Sequence, residues 1–153
     1  MPRLTLISDT HGLLRPEVVD FVRGSARIVH AGDIGDPAIL DALSALAPLT
    51  VVRGNNDLGP WAEALADTET IAVEGVLLHV LHDLATLDLD PAAAGIGVVV
   101  SGHSHKPRIE RRDGVLYVNP GSVGPRRFSL PIAAAELVIE GGEATARIVA
   151  FAR

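Results

Sequence analysis

The sequence predicts an α/β fold, on three observations. In the first third, short apolar runs alternate with helical segments. Beyond residue 67 that alternation gives way to paired apolar runs joined by two-residue turns. Polar residues gather where the runs end, the edge at which open α/β sheets bind their ligands.

RLTLIS (3–8) reads as the first strand and ends at Asp9-Thr10-His11-Gly12. Pro16 opens a short segment, PEVVDFVRG, which Gly24 is placed to stop as a helix. ARIVH (26–30) is a second strand, ending in Ala31-Gly32-Asp33. Asp36 suits a helix N-cap, with Pro37 at the first helical position and Ile39, Leu40, Leu43 and Leu46 on one apolar face. A third strand, LTVVR (49–53), ends in Gly54-Asn55-Asn56-Asp57. The order so far is β-α-β-α-β.

The second half reads as hairpins. TETIAV (68–73) and VLLHVLH (76–82) flank Glu74-Gly75. Asp90-Pro91 opens another short helix, and IGVVVS (96–101) is apolar on both faces. KPRIERR (106–112) and VLYVN (115–119) meet at Asp113-Gly114, a strong turn dipeptide. IAAAELVIE (132–140) and ATARIVAF (144–151) flank Gly141-Gly142. No linker, internal repeat or low-complexity stretch interrupts residues 1–153, which are expected to form a single domain.

Apolar residues make up 48% of the 153, which argues against disorder. A formal charge of −6, with dispersed arginines and one lysine, Lys106, gives no specific nucleic-acid patch and no attraction to an anionic membrane. Without cysteine there is no disulfide, thiolate metal site or cysteine nucleophile. MPRLTLISDTHG does not read as a secretion signal and no apolar run approaches the length of a membrane span, so a cytoplasmic location is expected.

The strand ends carry Asp9, His11, Asp33, Asn55, His82, His103 and His105. Carboxylates, imidazoles and an amide are donors that divalent transition metals accept. Gly12, Gly32, Gly54 and Gly102 accompany them and permit the sharp turns that bring loops together. The pair in SGHSHKP (101–107) would by itself be two polar loop residues; five such clusters in one chain are not a coincidence of composition.

These motifs, Asp9-Thr10-His11, Gly32-Asp33, Gly54-Asn55-Asn56-Asp57, His82, Gly102-His103-Ser104-His105 and Asn119-Pro120-Gly121-Ser122, resemble the calcineurin-like metallophosphoesterases, over roughly residues 4 to 126. The similarity is to their compact bacterial and archaeal phosphodiesterase branch. It implies a four-layer α/β/β/α sandwich of two mixed β-sheets with two divalent metal ions at one edge. Manganese is the first expectation, with iron, nickel, cobalt or zinc also suited. By position, Asp9, His11 and His105 would hold one metal and Asn55, His82 and His103 the other, with Asp33 between them. Asp33, Asn55 and His103 would also carry the catalytic roles. The implied reaction is hydrolysis of a small phosphoester, a diester rather than a monoester. In the implied mechanism a hydroxide held between cations about 3.5–4 Å apart would attack in line.

The chain departs from the family pattern twice. Larger phosphatases place a histidine acid, and the compact branch commonly a cysteine, where Asn56 stands, so leaving-group protonation lacks its usual donor. Asp83 follows His82 where glycine is usual. His79, three before His82, should face the other way along a strand and is read as structural. His30 either orients a ligand or is satisfied by backbone. Asp57 either fixes a neighbouring loop or ligand, or stabilises its own loop. Arg53 and Arg126 are candidates to meet phosphate outside the core site. The competing reading is a catalytically weak or inactive protein-interaction scaffold of the same fold, like the retromer subunit. A nucleotide-binding module is weaker still, lacking any GxGxxG or GxxxxGK[ST]. Homo-oligomerisation is left open.

Overall fold

The computed structural model describes residues 3–127 and 129–151. In chain order the strands are β1 (Arg3–Ile7), β2 (Arg27–His30), β3 (Leu49–Val51), β4 (Thr68–Val73) and β5 (Val76–Leu81). They continue as β6 (Ile96–Val100), β7 (Arg108–Arg112), β8 (Val115–Asn119), β9 (Ile132–Glu140) and β10 (Glu143–Phe151). The helices are α1 (Pro16–Val22), α2 (Pro37–Ser44) and α3 (Pro60–Glu63). Each starts on a proline, whose missing N–H costs nothing in the first turn. Asp36 caps α2 by accepting from the Ala38 amide at 2.9 Å.

Two mixed five-stranded sheets result, ordered β10-β9-β1-β2-β3 and β4-β5-β6-β8-β7. The first three strands pair in parallel, as crossover helices require, and β9 lies antiparallel beside β1. The second sheet has a parallel centre, β5-β6-β8, flanked by the antiparallel strands β4 and β7. Its two hairpins turn on Glu74-Gly75 and Asp113-Gly114, all four at φ between 48° and 80°. That left-handed pair matches the twist of the strands.

Leu4, Leu6, Val29 and Leu137 of the first sheet pack on Leu78, Val80, Val98, Val100, Leu116 and Val118 of the second. Outside the first sheet, Ile7 and Ile28 bury Val18 and Val22 of α1 and Ile39 and Leu43 of α2. The α/β/β/α order holds, but its last layer is thin. A 3-10 turn, Leu84–Thr86, shields Leu81, Ile96, Val99 and Val115 on the outer face of the second sheet. The helix expected after Asp90-Pro91 is a run of turns instead. Gly95, at φ 77°, breaks the chain before a second helical turn can close. No helix among the described residues is long and apolar enough to cross a membrane.

Candidate metal centre

The carboxyl ends of β1, β2 and β3 and those of β5 and β6 open onto one edge of the sandwich. Asp9 and His11 follow β1, Asp33 follows β2, Asn55 follows β3, His82 follows β5, and His103 and His105 follow β6. The loops are tied by backbone bonds: Asp9 N–H to the Gly32 carbonyl at 3.0 Å, His11 N–H to Asp33 at 2.9 Å, and Gly102 N–H to His82 at 2.9 Å. Two glycines permit that contact. A β-carbon at Gly54 would overlap the backbone nitrogen and carboxylate of Asp33, and one at Gly102 would overlap the Ser8 hydroxyl.

Side-chain donor atoms form two sets. In the first, Asp9 Oδ1 lies 3.5 Å from His11 Nε2 and 3.4 Å from His105 Nε2. In the second, His82 Nε2 lies 3.2 Å from Asp33 Oδ2 and 3.3 Å from His103 Nδ1, which is 3.2 Å from Asn55 Oδ1. Asp33 Oδ2 also stands 3.7 Å from His11 Nε2, so it faces both sets. The rings pair accordingly, His11 stacked on His105 at 5.3 Å and His82 edge-on to His103 at 5.1 Å.

This donor set fits divalent cations. Metal bonds of about 2.0–2.1 Å put neighbouring donors roughly 3.0–3.4 Å apart, close to the separations above. Asp9 Oδ1 is buried without a hydrogen-bond partner, although three imidazole Nε2 atoms lie within 4.0 Å of it. His11 Nε2 is likewise buried and unpartnered. Buried polar atoms are seldom left so, since each costs about 1–3 kcal/mol. His105 Nδ1 is also buried without a partner, but the other ends of Asp9 and His82 are occupied. Asp9 Oδ2 accepts from the Ser8 hydroxyl at 2.6 Å and the His103 amide at 3.2 Å. His82 donates through Nδ1 to the Ala31 carbonyl at 2.8 Å, leaving Nε2 a lone pair.

Electrostatics keep the acids ionised. Burial pushes both carboxyls up, yet the opposing contacts prevail. His11 and Ser8, with charge from His82 and His105, hold Asp9 below its ordinary range. His82 and the two donors of Asn56 hold Asp33 far below it. Burial depresses His105, and the Arg127 charge adds to that. Burial also opposes the proton on His82, but Asp33 and the Ala31 carbonyl raise its pKa overall.

All seven predicted ligands thus lie together, and five share a further property. Asp9, His11, Asp33, His103 and His105 have φ of 58°, 44°, 60°, 71° and 63°, the left-handed region that costs side-chain-bearing residues about 1–2 kcal/mol. His79 lies apart, on the opposite face of β5 from His82, where Thr70 Oγ1 meets its Nδ1 at 2.8 Å. His30 is fully buried with both ring nitrogens engaged, by the Gly32 amide at 3.1 Å and Thr10 Oγ1 at 3.0 Å.

The supporting residues take definite partners, and of their roles the sequence raises only that of Asp57, as one of two readings. Asn56 bonds Asp33 twice, through its amide nitrogen to Oδ1 at 2.8 Å and through Nδ2 to Oδ2 at 3.1 Å. Asp57 accepts four backbone N–H groups, from Asp33, Ile34, Gly35 and Gly54, and so fixes the neighbouring loop. Asn119 donates to the Gly102 carbonyl at 2.9 Å and Ser122 to that of Asp9 at 3.0 Å, which gives the late motif its work. Asp83 needs no glycine conformation, at φ −114°; it caps the 3-10 turn through Ala85 N–H and stands 3.9 Å from His103 Nε2. Arg53 is spent on the Asp57 carbonyl at 3.2 Å. The arginine whose charge reaches the ligands is Arg127, beside the Arg126 named from sequence.

The chain matches the model of the calcineurin-like phosphoesterase superfamily domain over residues 3–142. It is 33% identical over 156 residues to the "Probable metallophosphoesterase" of Methanothermobacter thermautotrophicus, covering 94% of this chain and 90% of that protein. It is 35% identical over 126 residues to a counterpart from Methanocaldococcus jannaschii, covering 76% of this chain but 66% of the relative's length. Among solved structures, an archaeal protein described as a phosphodiesterase superposes with a TM-score of 0.80 at 20% identity, over 96% of this chain and 99% of that one. Vps29 of Chaetomium thermophilum gives 0.80 at 16% identity, over 97% and 96%. Both likenesses speak to the fold alone. With the family model spanning both sheets and every strand end described above, the chain belongs to the calcineurin-like phosphoesterase superfamily.

Proposed function

We propose that the protein is a metal-dependent phosphodiesterase with two divalent cations, manganese first among them. Asp9, His11 and His105 would hold one, Asn55, His82 and His103 the other, and Asp33 would contact both. Cations at these positions would supply an acidified water and Lewis-acid neutralisation for in-line displacement at phosphorus. The observation that carries the reading is the buried, unpartnered Asp9 Oδ1 among three imidazole nitrogens.

The chain's own residues do the positioning. Asn56 and Asp57 fix the carboxylate and backbone of Asp33, and the Ala31 carbonyl fixes the His82 tautomer. Arg127 adds positive charge on the His105 side, which favours an anionic phosphate. The Asn56 amide is turned to Asp33 and has no proton to give an alkoxide, which favours diesters with weakly basic leaving oxygens. His103, half exposed at the mouth of the site, takes the donor role only if that leaving-group preference fails.

The test is metal content together with hydrolysis of bis(p-nitrophenyl) phosphate by metal-reconstituted protein and its Asp33→Asn variant. The reading expects two metals per chain and turnover in the native protein, with turnover abolished and occupancy lowered in the variant. Full activity in Asp33→Asn would sink it. A scaffold without catalysis is the second reading, supported by the likeness to Vps29. It expects no turnover of any phosphoester with any metal.

A further inference from the structure

Where the outer layer thins, the face of the second sheet is open beside the metal centre. A groove of about 280 Å³ begins at His103 and Asp83 and runs to Lys106, Arg108, Arg112 and Tyr117. His103 is shared with the candidate centre, so the groove leads directly away from the place where phosphorus would react. Its floor is apolar, from Leu84 and the Tyr117 ring, over which the Arg112 guanidinium sits at 4.4 Å.

Its charge is unlike that of the rest of the molecule. Lys106 is the only lysine in a chain of net charge −6. Arg108 and Arg112 share one carboxylate, Glu110, at 2.7 Å and 3.6 Å, so that row keeps an excess positive charge. On the other side of Asp83 a second hollow is lined by Asp67, Asp83 and Asp88, with Arg53. The two hollows flank the same centre with opposite sign, and an anionic group is steered to one of them. Charged residues also protect edge strands such as β7 from pairing. That purpose accounts for the arginines, but not for the apolar floor or for the opening at His103.

We propose that this groove is the subsite for one ester limb of the substrate, a ring that bears a second phosphate, as in a nucleoside phosphate. The proposal rests on the phosphodiesterase reading above. The phosphate meets Lys106 and Arg112 while the ring lies along Tyr117 and Leu84. Loss of the charge-assisted hydrogen bonds to the second phosphate should cost roughly tenfold or more in kcat/KM.

The experiment compares the dinucleotides pApA and ApA, which differ only in the terminal 5′-phosphate, with bis(p-nitrophenyl) phosphate as an ester whose limbs carry no anion. Each is assayed with metal-reconstituted protein and with Lys106→Ala/Arg112→Ala. Calorimetry measures AMP binding to the metal-free forms of both. The groove reading expects about tenfold preference for pApA, lost in the double variant, with bis(p-nitrophenyl) phosphate turnover unchanged and AMP binding abolished. Equal kcat/KM for the two dinucleotides, or AMP binding undiminished in the variant, overturns it even while the aryl diester is hydrolysed. Absence of all hydrolysis defeats the phosphodiesterase reading instead, and AMP binding alone then decides the groove.

Discussion

Acidification should destabilise this protein through His30. The ring is fully buried, and its Nδ1 accepts from the Gly32 amide, which leaves Nε2–H to donate to Thr10. Thr10 in turn donates to the Ile34 carbonyl at 2.8 Å, so the neutral ring braces both loops, which carry the candidate ligands Asp9, His11 and Asp33. Burial pushes its pKa from 6.5 down to about 4, against the pull of Asp9, Asp57 and Asp33. Between those values the unfolded chain binds a proton that the folded chain refuses. Stability from this source is therefore complete above pH 6.5 and is lost as pH falls toward 4. Fully expressed, the loss is about 3 kcal/mol, of which about 2 kcal/mol falls between pH 7 and pH 5. The assay is urea unfolding of chelated protein at those two pH values, for the native chain and His30→Asn. His79 and His105 are shifted in the same direction and His82 in the opposite one, and the variant subtracts them. The native chain should lose about 2 kcal/mol more than His30→Asn. Equal losses would show that His30 takes up its proton without cost, and the dry, braced ring would be wrong.

Three further outcomes follow from the same geometry. Replacing Asn56 with His should flatten the dependence of kcat/KM on leaving-group pKa, since an imidazolium can donate; an already flat native slope, with chemistry limiting, would move the donor role to His103. His79→Ala should lose about 1 kcal/mol of stability with its Thr70 bond and keep its full metal content. Loss of one metal per chain there would mean that the face of β5 has been misread. At His103, φ 71° should make His103→Gly more stable than His103→Ala by about 1 kcal/mol in denaturant titrations, although both lack the ring. Equal stabilities would mean the left-handed backbone relaxes once the ring is gone.

The hairpins were legible because their chemistry is local. Asp113-Gly114 and Gly141-Gly142 adopt the left-handed pair that a two-residue turn demands, and β9 occupies residues 132–140 as expected. What local chemistry cannot specify is which strands meet. That β9 lies beside β1, with Leu137 opposite Leu4, depends on core contacts more than 130 positions apart in the chain. The segment after Asp90 misled for a related reason. It begins as a helix would, with Ala94 N–H bonding to the Asp90 carbonyl at 3.0 Å, but only a few residues remain before β6. The four-residue α3 offered too short a pattern to be seen at all.

The candidate ligand types could be read from the strand ends, whereas of the residues that hold them only Asp57 was foreseen, as one of two readings. Asn56, Asp57, Asn119 and Ser122 act on loops that only tertiary structure makes neighbours. Their work has an energetic reason. Five left-handed side-chain-bearing residues cost on the order of 5 kcal/mol together, against a net stability of about 5–15 kcal/mol for a typical domain. Three unpartnered buried atoms of the site, Asp9 Oδ1, His11 Nε2 and His105 Nδ1, add to that cost. A chain tolerates such an arrangement only where neighbouring bonds over-determine it, as the four N–H groups on Asp57 do for the Asp33 loop. The strain also turns alternate side chains inward: His103 and His105, both left-handed and separated by one residue, deliver their nitrogens to different donor sets. A regular strand would send both to the same side. The same backbone that weakens the fold is what splits one histidine pair between two donor sets.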